Sequence, residues 1–258
     1  MSVLDQFKLD GKIALVTGGA GLYGRQITAA LAEVGARTYI ASRNREQGEQ
    51  LAVELRNRQL DAKAMSLDQS DETSIEKLSE ALVADAGRVD VLINNAVLRP
   101  AANWHCSAEE FAKSMQVNAT GLFLMTRRFG EIMAKHGGGS IINIGSIQGH
   151  IGPDFSLYEG LGWETPPDYF FHKGGMVNFT RFAAAKLGPR NVRVNVISPG
   201  GFYTKQDPRF VARYEAKTML GRMANSTDLQ GAVVFLASDA AAYITGTALL
   251  VDGGYTAM

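Results

Sequence analysis

The amino-acid sequence predicts an α/β protein built on a doubly wound, seven-stranded parallel sheet flanked by helices, and three observations carry that expectation. Short apolar, β-branched runs recur along all 258 residues, longer helical patterns separate them, and several runs are continuously hydrophobic rather than alternating. Strands covered by helices on both faces have this continuous character, and regular strand–helix alternation is the mark of a parallel sheet. The strand candidates are KIALVT (12–17), RTYIAS (37–42), AKAMSL (62–67), VDVLIN (89–94), SIINIG (140–145), VRVNVIS (192–198) and ALLVDG (248–253). Helical spacing recurs at 24–34, where Ile27, Leu31 and Val34 share a face, and at 46–58, 72–85, 108–135 and 169–187.

Composition narrows the function classes. Lys plus Arg equals Asp plus Glu at 26 each, so the net charge is zero and no footprint for nucleic acid or an anionic membrane is expected. No apolar run reaches the roughly 18 residues that span a bilayer, and the first residues lack a signal-peptide pattern. The single cysteine, Cys106, has no internal disulfide partner and fits a reducing compartment. The expectation is a cytoplasmic protein acting on a small molecule, with no metal. No linker rich in Pro or Gly divides the chain, so a single domain over 1–258 is expected.

Two segments break the rhythm: 147–168, with Gly, Pro and unperiodic aromatics, and 199–213, which follows the sixth strand. Both come after the carboxyl ends of strands, where open α/β sheets bind ligands. The glycine-rich turn LVTGGAGLYGRQITAAL (15–31) adds Gly18, Gly19, Gly21 and Gly24 between the first strand and the first helix. Glycines there allow a tight turn and a close approach of pyrophosphate to a helix N-terminus, so a dinucleotide site is expected. At the end of the second strand, Ser42 stands where an acid for the ribose 2′-OH would be, and Arg43 follows. This favours NADP(H), with NAD(H) possible.

These residues resemble the short-chain dehydrogenase/reductase family over nearly the whole chain, which implies a Rossmann fold. TGGAGLYG (17–24), including Leu22 and Tyr23, looks like the coenzyme loop. NNA (94–96) resembles the element that steadies the sheet and flanks the coenzyme through Asn95 and Ala96, and Asp68 matches the acid near adenine. Asn118, Ser146, Tyr169 and Lys173 match the catalytic tetrad, and SPGGFYT (198–204) matches the turn whose Pro199, Gly200 and Thr204 touch the nicotinamide end. By resemblance, Lys173 hydrogen-bonds the nicotinamide ribose, and Asn118 holds a water in a proton relay. The chemistry is consistent with this. Tyrosine at its ordinary value near 10 is a poor base, and a lysine four residues on in a helix favours the phenolate. Ser146 would hold the substrate oxygen as charge develops on it. The plain roles for Ser146 and Asn118 are a helix cap and an exposed polar side chain.

Three departures stand out. Leu22 occupies the middle glycine position of the loop and Gly21 comes one place early; Val97 replaces a glycine after NNA; and Ser146 and Tyr169 stand about ten residues farther apart than usual. The additional residues belong to 147–168, a substrate-loop insertion. It offers Gln148, His150, Tyr158, Glu159 and Trp163, a mixture of hydrogen-bonding groups and aromatic faces suited to a polyhydroxylated substrate, and Arg99, with His105, adds positive charge for an anion. The insertion and the SPGG turn resemble sugar-acid dehydrogenases and flagellin-modification reductases. The expected reaction is hydride transfer at a secondary alcohol or ketone (or hemiacetal) of a sugar, sugar acid or polyol. The alternatives are a 3-oxoacyl-carrier-protein ketoreductase and a non-catalytic NADP-binding regulator. The resemblance also implies a homotetramer joined through the helices at 108–135 and 169–187 and near the C-terminal strand.

Overall fold

Seven parallel strands form one sheet: β1 (Ile13–Thr17), β2 (Arg37–Ser42), β3 (Ala62–Ser66), β4 (Val91–Asn94), β5 (Gly139–Ile144), β6 (Val192–Pro199) and β7 (Ala248–Val251), in the order 3-2-1-4-5-6-7. The computed structural model describes residues 2–257. Each strand starts and ends within about two residues of its expected position, because a parallel strand buried on both faces is apolar throughout. Faces alternate with period two along β1. Ile13 and Leu15 enter one core cluster with Leu78, Phe129 and Leu187, while Ala14 and Val16 enter another with Ile27, Leu31 and Val233.

The helices are α1 (Leu22–Glu33), α2 (Arg45–Asn57), α3 (Glu72–Ala86), α4 (Ala108–Met115), α5 (Leu122–Lys135), α6 (Pro167–Leu187), α7 (Pro208–Glu215) and α8 (Gln230–Ala237). Local chemistry explains several boundaries. The Asn44 and Asp71 side chains cap α2 and α3, Ser107 and Glu110 form a reciprocal capping box at α4, and Pro167 opens α6 with no N–H to lose.

The structure departs from the sequence reading in three places. The stretch 108–135 is not one helix: a π turn, Gln116–Gly121, separates α4 from α5. The segment 199–213 is not wholly irregular, since α7 begins at Pro208 behind an Asp207 cap. Helix α8, QGAVVFLA, was also missed, because a helix apolar nearly all round has no polar face to reveal its period. Strand order reverses between β1 and β4, and the ligand crevice of an open α/β sheet lies at such a point. No helix among the described residues is long and apolar enough to cross a membrane.

Candidate active site

A cleft of about 970 Å³ runs across the carboxyl ends of the strands. Its coenzyme end is made mostly of backbone. Gly18 adopts φ +61°, and a Cβ there would meet the Ala96 Cα at 2.9 Å. Gly24 does not line the cleft. It lets α1 close on the turn, because a Cβ on it would collide with the carbonyl oxygen of Gly18. The Asn95 side chain donates to the carbonyls of Thr17 (3.1 Å) and Gly18 (3.0 Å), and Thr17 Oγ1 accepts from the Asn95 and Ala96 amides. Asn94 donates to Asn143 Oδ1 at 2.9 Å across the sheet. Two successive asparagines thus join the β1 turn to β4 and β4 to β5. Leu22 is accommodated without strain: it is the first residue of α1, 56% exposed, and its side chain borders the cleft. Tyr23 packs edge-on against Phe202 at 4.8 Å and donates its hydroxyl to the Gly200 carbonyl at 3.3 Å, bridging to the far wall.

Ser42, Arg43, Asn44, Gln47 and Asp68 border the next part. Ser42 donates to the Asn44 carbonyl at 2.7 Å. Asp68 accepts from Ser70 N and Oγ at 2.9 and 2.6 Å, which holds its carboxyl below the usual range, with a smaller contribution from Arg43. Arg43 itself is exposed, and among the described residues it has no ion-pair partner.

Ser146, Tyr169 and Lys173 meet on the cleft wall although they come from the end of β5 and the first two turns of α6. Ser146 is buried and also caps a short turn, its Oγ accepting from Gln148 N at 3.2 Å. The cap and the site position coexist. Lys173 Nζ stands 5.7 Å from the centre of the Tyr169 ring and donates to the Ile144 carbonyl at 2.6 Å. It is wholly buried, and that burial first, then the charge of Arg99, brings it down to about 7. Asn118 lies behind the wall, in the π turn. Its amide donates to the Leu98 carbonyl (2.7 Å) and Ser114 Oγ (3.0 Å), and its oxygen accepts from Leu98 N (2.9 Å). A π turn at such a point is often functional, and here it sets the residue just before Arg99.

The mouth is made from side chains. Gln148, Tyr158, Trp163 and Arg99 border it, as do Pro199, Gly200 and Thr204. His150 does not: its ring turns away and bonds Ser198 Oγ at 2.8 Å, so the expected substrate contact is corrected to a link between the insertion and β6. His105 and Glu159 also lie off the wall. Several residues that the sequence reading missed complete the mouth. Phe210 of α7 packs 5.5 Å from Tyr158 and 5.1 Å from Trp163, and Tyr214 stacks on Tyr255 at 4.8 Å. Arg213 donates to the Leu157 and Glu159 carbonyls, and Lys217 pairs with Asp154. The insertion and α7 therefore pack as one unit. Only the amphipathic pattern of α7 could have signalled it from sequence, and that pattern names no partner.

A glycine cradle at the switch point, continuous with a wall bearing Ser, Tyr and Lys, defines a nicotinamide-coenzyme oxidoreductase. Comparison with known proteins gives the family. A family model described as enoyl-(acyl carrier protein) reductase matches residues 21–256. D-threitol dehydrogenase of Mycolicibacterium smegmatis is 36% identical over 263 residues, covering 99% of this chain and 97% of that protein. A 3-oxoacyl-acyl-carrier-protein reductase of Aquifex aeolicus is 31% identical, covering 96% and 99%. The crystal structure of a gluconate 5-dehydrogenase from Burkholderia cenocepacia J2315, in complex with NADP and tartrate, superposes with a TM-score of 0.91 at 29% identity over 100% of both chains. The chain belongs to the short-chain dehydrogenase/reductase family, whose members use NAD(P).

Proposed function

We propose that the protein is an NADP(H)-preferring dehydrogenase/reductase that moves hydride at a secondary alcohol or ketone of a sugar, sugar acid or polyol, with Tyr169 as the general acid/base. The observation that carries this reading is the meeting of Ser146, Tyr169 and Lys173 on one wall of the cleft, beside a mouth of mixed hydrogen-bonding and aromatic groups. The glycine turn fits a pyrophosphate, since Gly18 takes a left-handed φ of +61° against the Ala96 backbone and the turn leads to the N-terminus of α1, whose free N–H groups suit an anion. Arg43, exposed and in no ion pair among the described residues, fits a ribose 2′-phosphate. Bound coenzyme supplies the hydride acceptor in oxidation and the donor in reduction.

In oxidation, Tyr169 takes the hydroxyl proton as the C–H bond gives up its electron pair, and Ser146 donates a hydrogen bond to the substrate oxygen. In reduction, the phenol returns that proton. The positive charge of Lys173 favours the phenolate. The side-chain amide of Asn118 is already engaged by Leu98 and Ser114, so a water held by this residue would rest on its backbone carbonyl. Names of relatives support the substrate class: one is a threitol dehydrogenase, another a gluconate dehydrogenase.

Assembly as a homotetramer is part of the same reading. Phe123 on α5 and Phe171 and Phe182 on α6 are exposed, 41%, 67% and 65% respectively, along the faces expected to pair. A monomeric mass in solution would refute it.

The test is coenzyme absorbance against a panel of sugars, sugar acids, polyols, their keto forms and an oxoacyl thioester, with NADP(H) and NAD(H) in parallel. Wild-type turnover is expected with a polyhydroxylated compound, and a Tyr169→Phe chain should lose about 10³-fold or more while still binding coenzyme. Turnover confined to the thioester would favour the ketoreductase alternative, and coenzyme binding without any turnover would favour the regulator.

A further inference from the structure

Two arginines on the cleft wall have no ion-pair or hydrogen-bond partner among the described residues, Arg43 at the coenzyme end and Arg99 at the substrate end. The Arg99 guanidinium lies over the Tyr169 ring, 4.6 Å from its centre, and on the same ring Lys173 Nζ stands at 5.7 Å. Arg99 is held there by its neighbour, because Asn118 grips Leu98 through both its N–H and its carbonyl. Two cations therefore share one tyrosine, one buried and one open to the cleft.

We propose that Arg99 reads a carboxylate on the substrate, and that pairing of those two charges couples the substrate to Lys173 across the Tyr169 ring that both cations share. This deepens the reading above and rests on it: among polyhydroxylated substrates, it selects acids over neutral polyols. The free guanidinium offers a planar fork that suits a carboxylate. Nearby acids leave that fork open. Glu164 accepts from Trp104 N at 2.8 Å, and Asp154 pairs with Lys217. From α6, the buried Asp168 and His172 flank the Tyr169–Lys173 pair, and Tyr23 faces it from α1. Burial holds His172 down to about 3, so it stays neutral, and Arg99 is the remaining positive charge that opposes Lys173. An acid seated on Arg99 cancels that opposition, so Lys173 stays charged to higher pH in the complex than in the free protein. A neutral polyol leaves the opposition in place.

D-gluconate and D-glucitol, which differ in a carboxylate against a hydroxymethyl, are the matched probes. In the protein bound to NADPH, where neither alcohol can pass on a hydride, the Lys173 titration is followed by NMR of ¹³Cε-lysine, with the signal assigned from Lys173→Arg. Gluconate should move the midpoint upward and glucitol should not. In Arg99→Met the midpoint should start higher, with neither compound moving it. In turnover, the high-pH limb of kcat should lie higher for gluconate than for glucitol, while the limb of kcat/KM, a property of the free protein, should be shared. Arg99→Met should lower kcat/KM for gluconate about 100-fold and for glucitol less than about threefold, and Arg99→Lys should restore part of the preference. Equal effects of the two compounds on Lys173, or a midpoint unmoved by Arg99→Met, would overturn the proposal. If neither compound is oxidised by the wild type, the substrate reading fails, while the NMR titration still decides the coupling to Arg99.

Discussion

The two ends of the cleft are built by different means. The coenzyme end is backbone: a left-handed glycine, a helix N-terminus and two asparagines that tie the β1 turn to its neighbours. Its backbone parts fall within short stretches, 17–24 and 94–96, each attached to one strand, and Ser42, Arg43 and Asp68 add side chains from the ends of β2 and β3. The substrate end is side chain: Arg99, Gln148, Trp163, Tyr169, Phe210 and Tyr255 converge from segments spread over more than half the chain. A site made of backbone leaves a dense local signature, because only glycine meets its steric demand. A site made of side chains leaves scattered aromatics and arginines that resemble any others.

That contrast can be broken from either side. The largest effect is expected at Gly24→Ala, where the new Cβ meets the carbonyl of Gly18, an atom of a turn that cannot yield alone. Overpacking of this kind costs about 3 kcal/mol. Coenzyme affinity should fall about 10²-fold, as read by titration of coenzyme fluorescence, whereas undiminished binding would mean that the turn is not the pyrophosphate cradle. Next comes Phe210→Ala, which removes the ring packed against both Tyr158 and Trp163 and should cost about 3 kcal/mol in thermal unfolding. Substrate KM should rise about tenfold with coenzyme affinity unchanged; loss of both together would show that the two ends are not separable. The smallest free-energy effect sharpens the coenzyme end: Arg43→Asp should swing the NADP(H)/NAD(H) ratio of kcat/KM by about 30-fold, since hydrogen bonds to a charged group are worth about 1.5–3 kcal/mol. A ratio that stays put would leave Arg43 a solvent-facing arginine.

Legibility followed the same division. Ser146, Tyr169 and Lys173 could be named in advance because their order and local context resemble a known family, and all three line the cleft. His150 was expected there on residue type alone, yet the turn after Ser146 aims its ring at Ser198. Asn118 illustrates a third case. Its resemblance to a family position singles it out, but the π turn that frees its amide to hold Leu98 follows no simple period, so the sequence pattern there suggests continuous helix. Phe210 and Tyr255 were invisible, since nothing near 210 in the chain announces a partner at 158 or 163.

The sequence by itself determined the parallel sheet, its strand boundaries and the glycine turn. Those depend on continuous apolar runs and on backbone sterics, which act over a few residues. Only the tertiary structure decided that Leu22 is harmless at the start of α1, that the insertion and α7 pack as one aromatic unit, and that Arg99 stands over Tyr169 with no ion-pair partner among the described residues. Charge and packing act through space rather than along the chain, so the environment of these residues exists only once distant segments have been brought together.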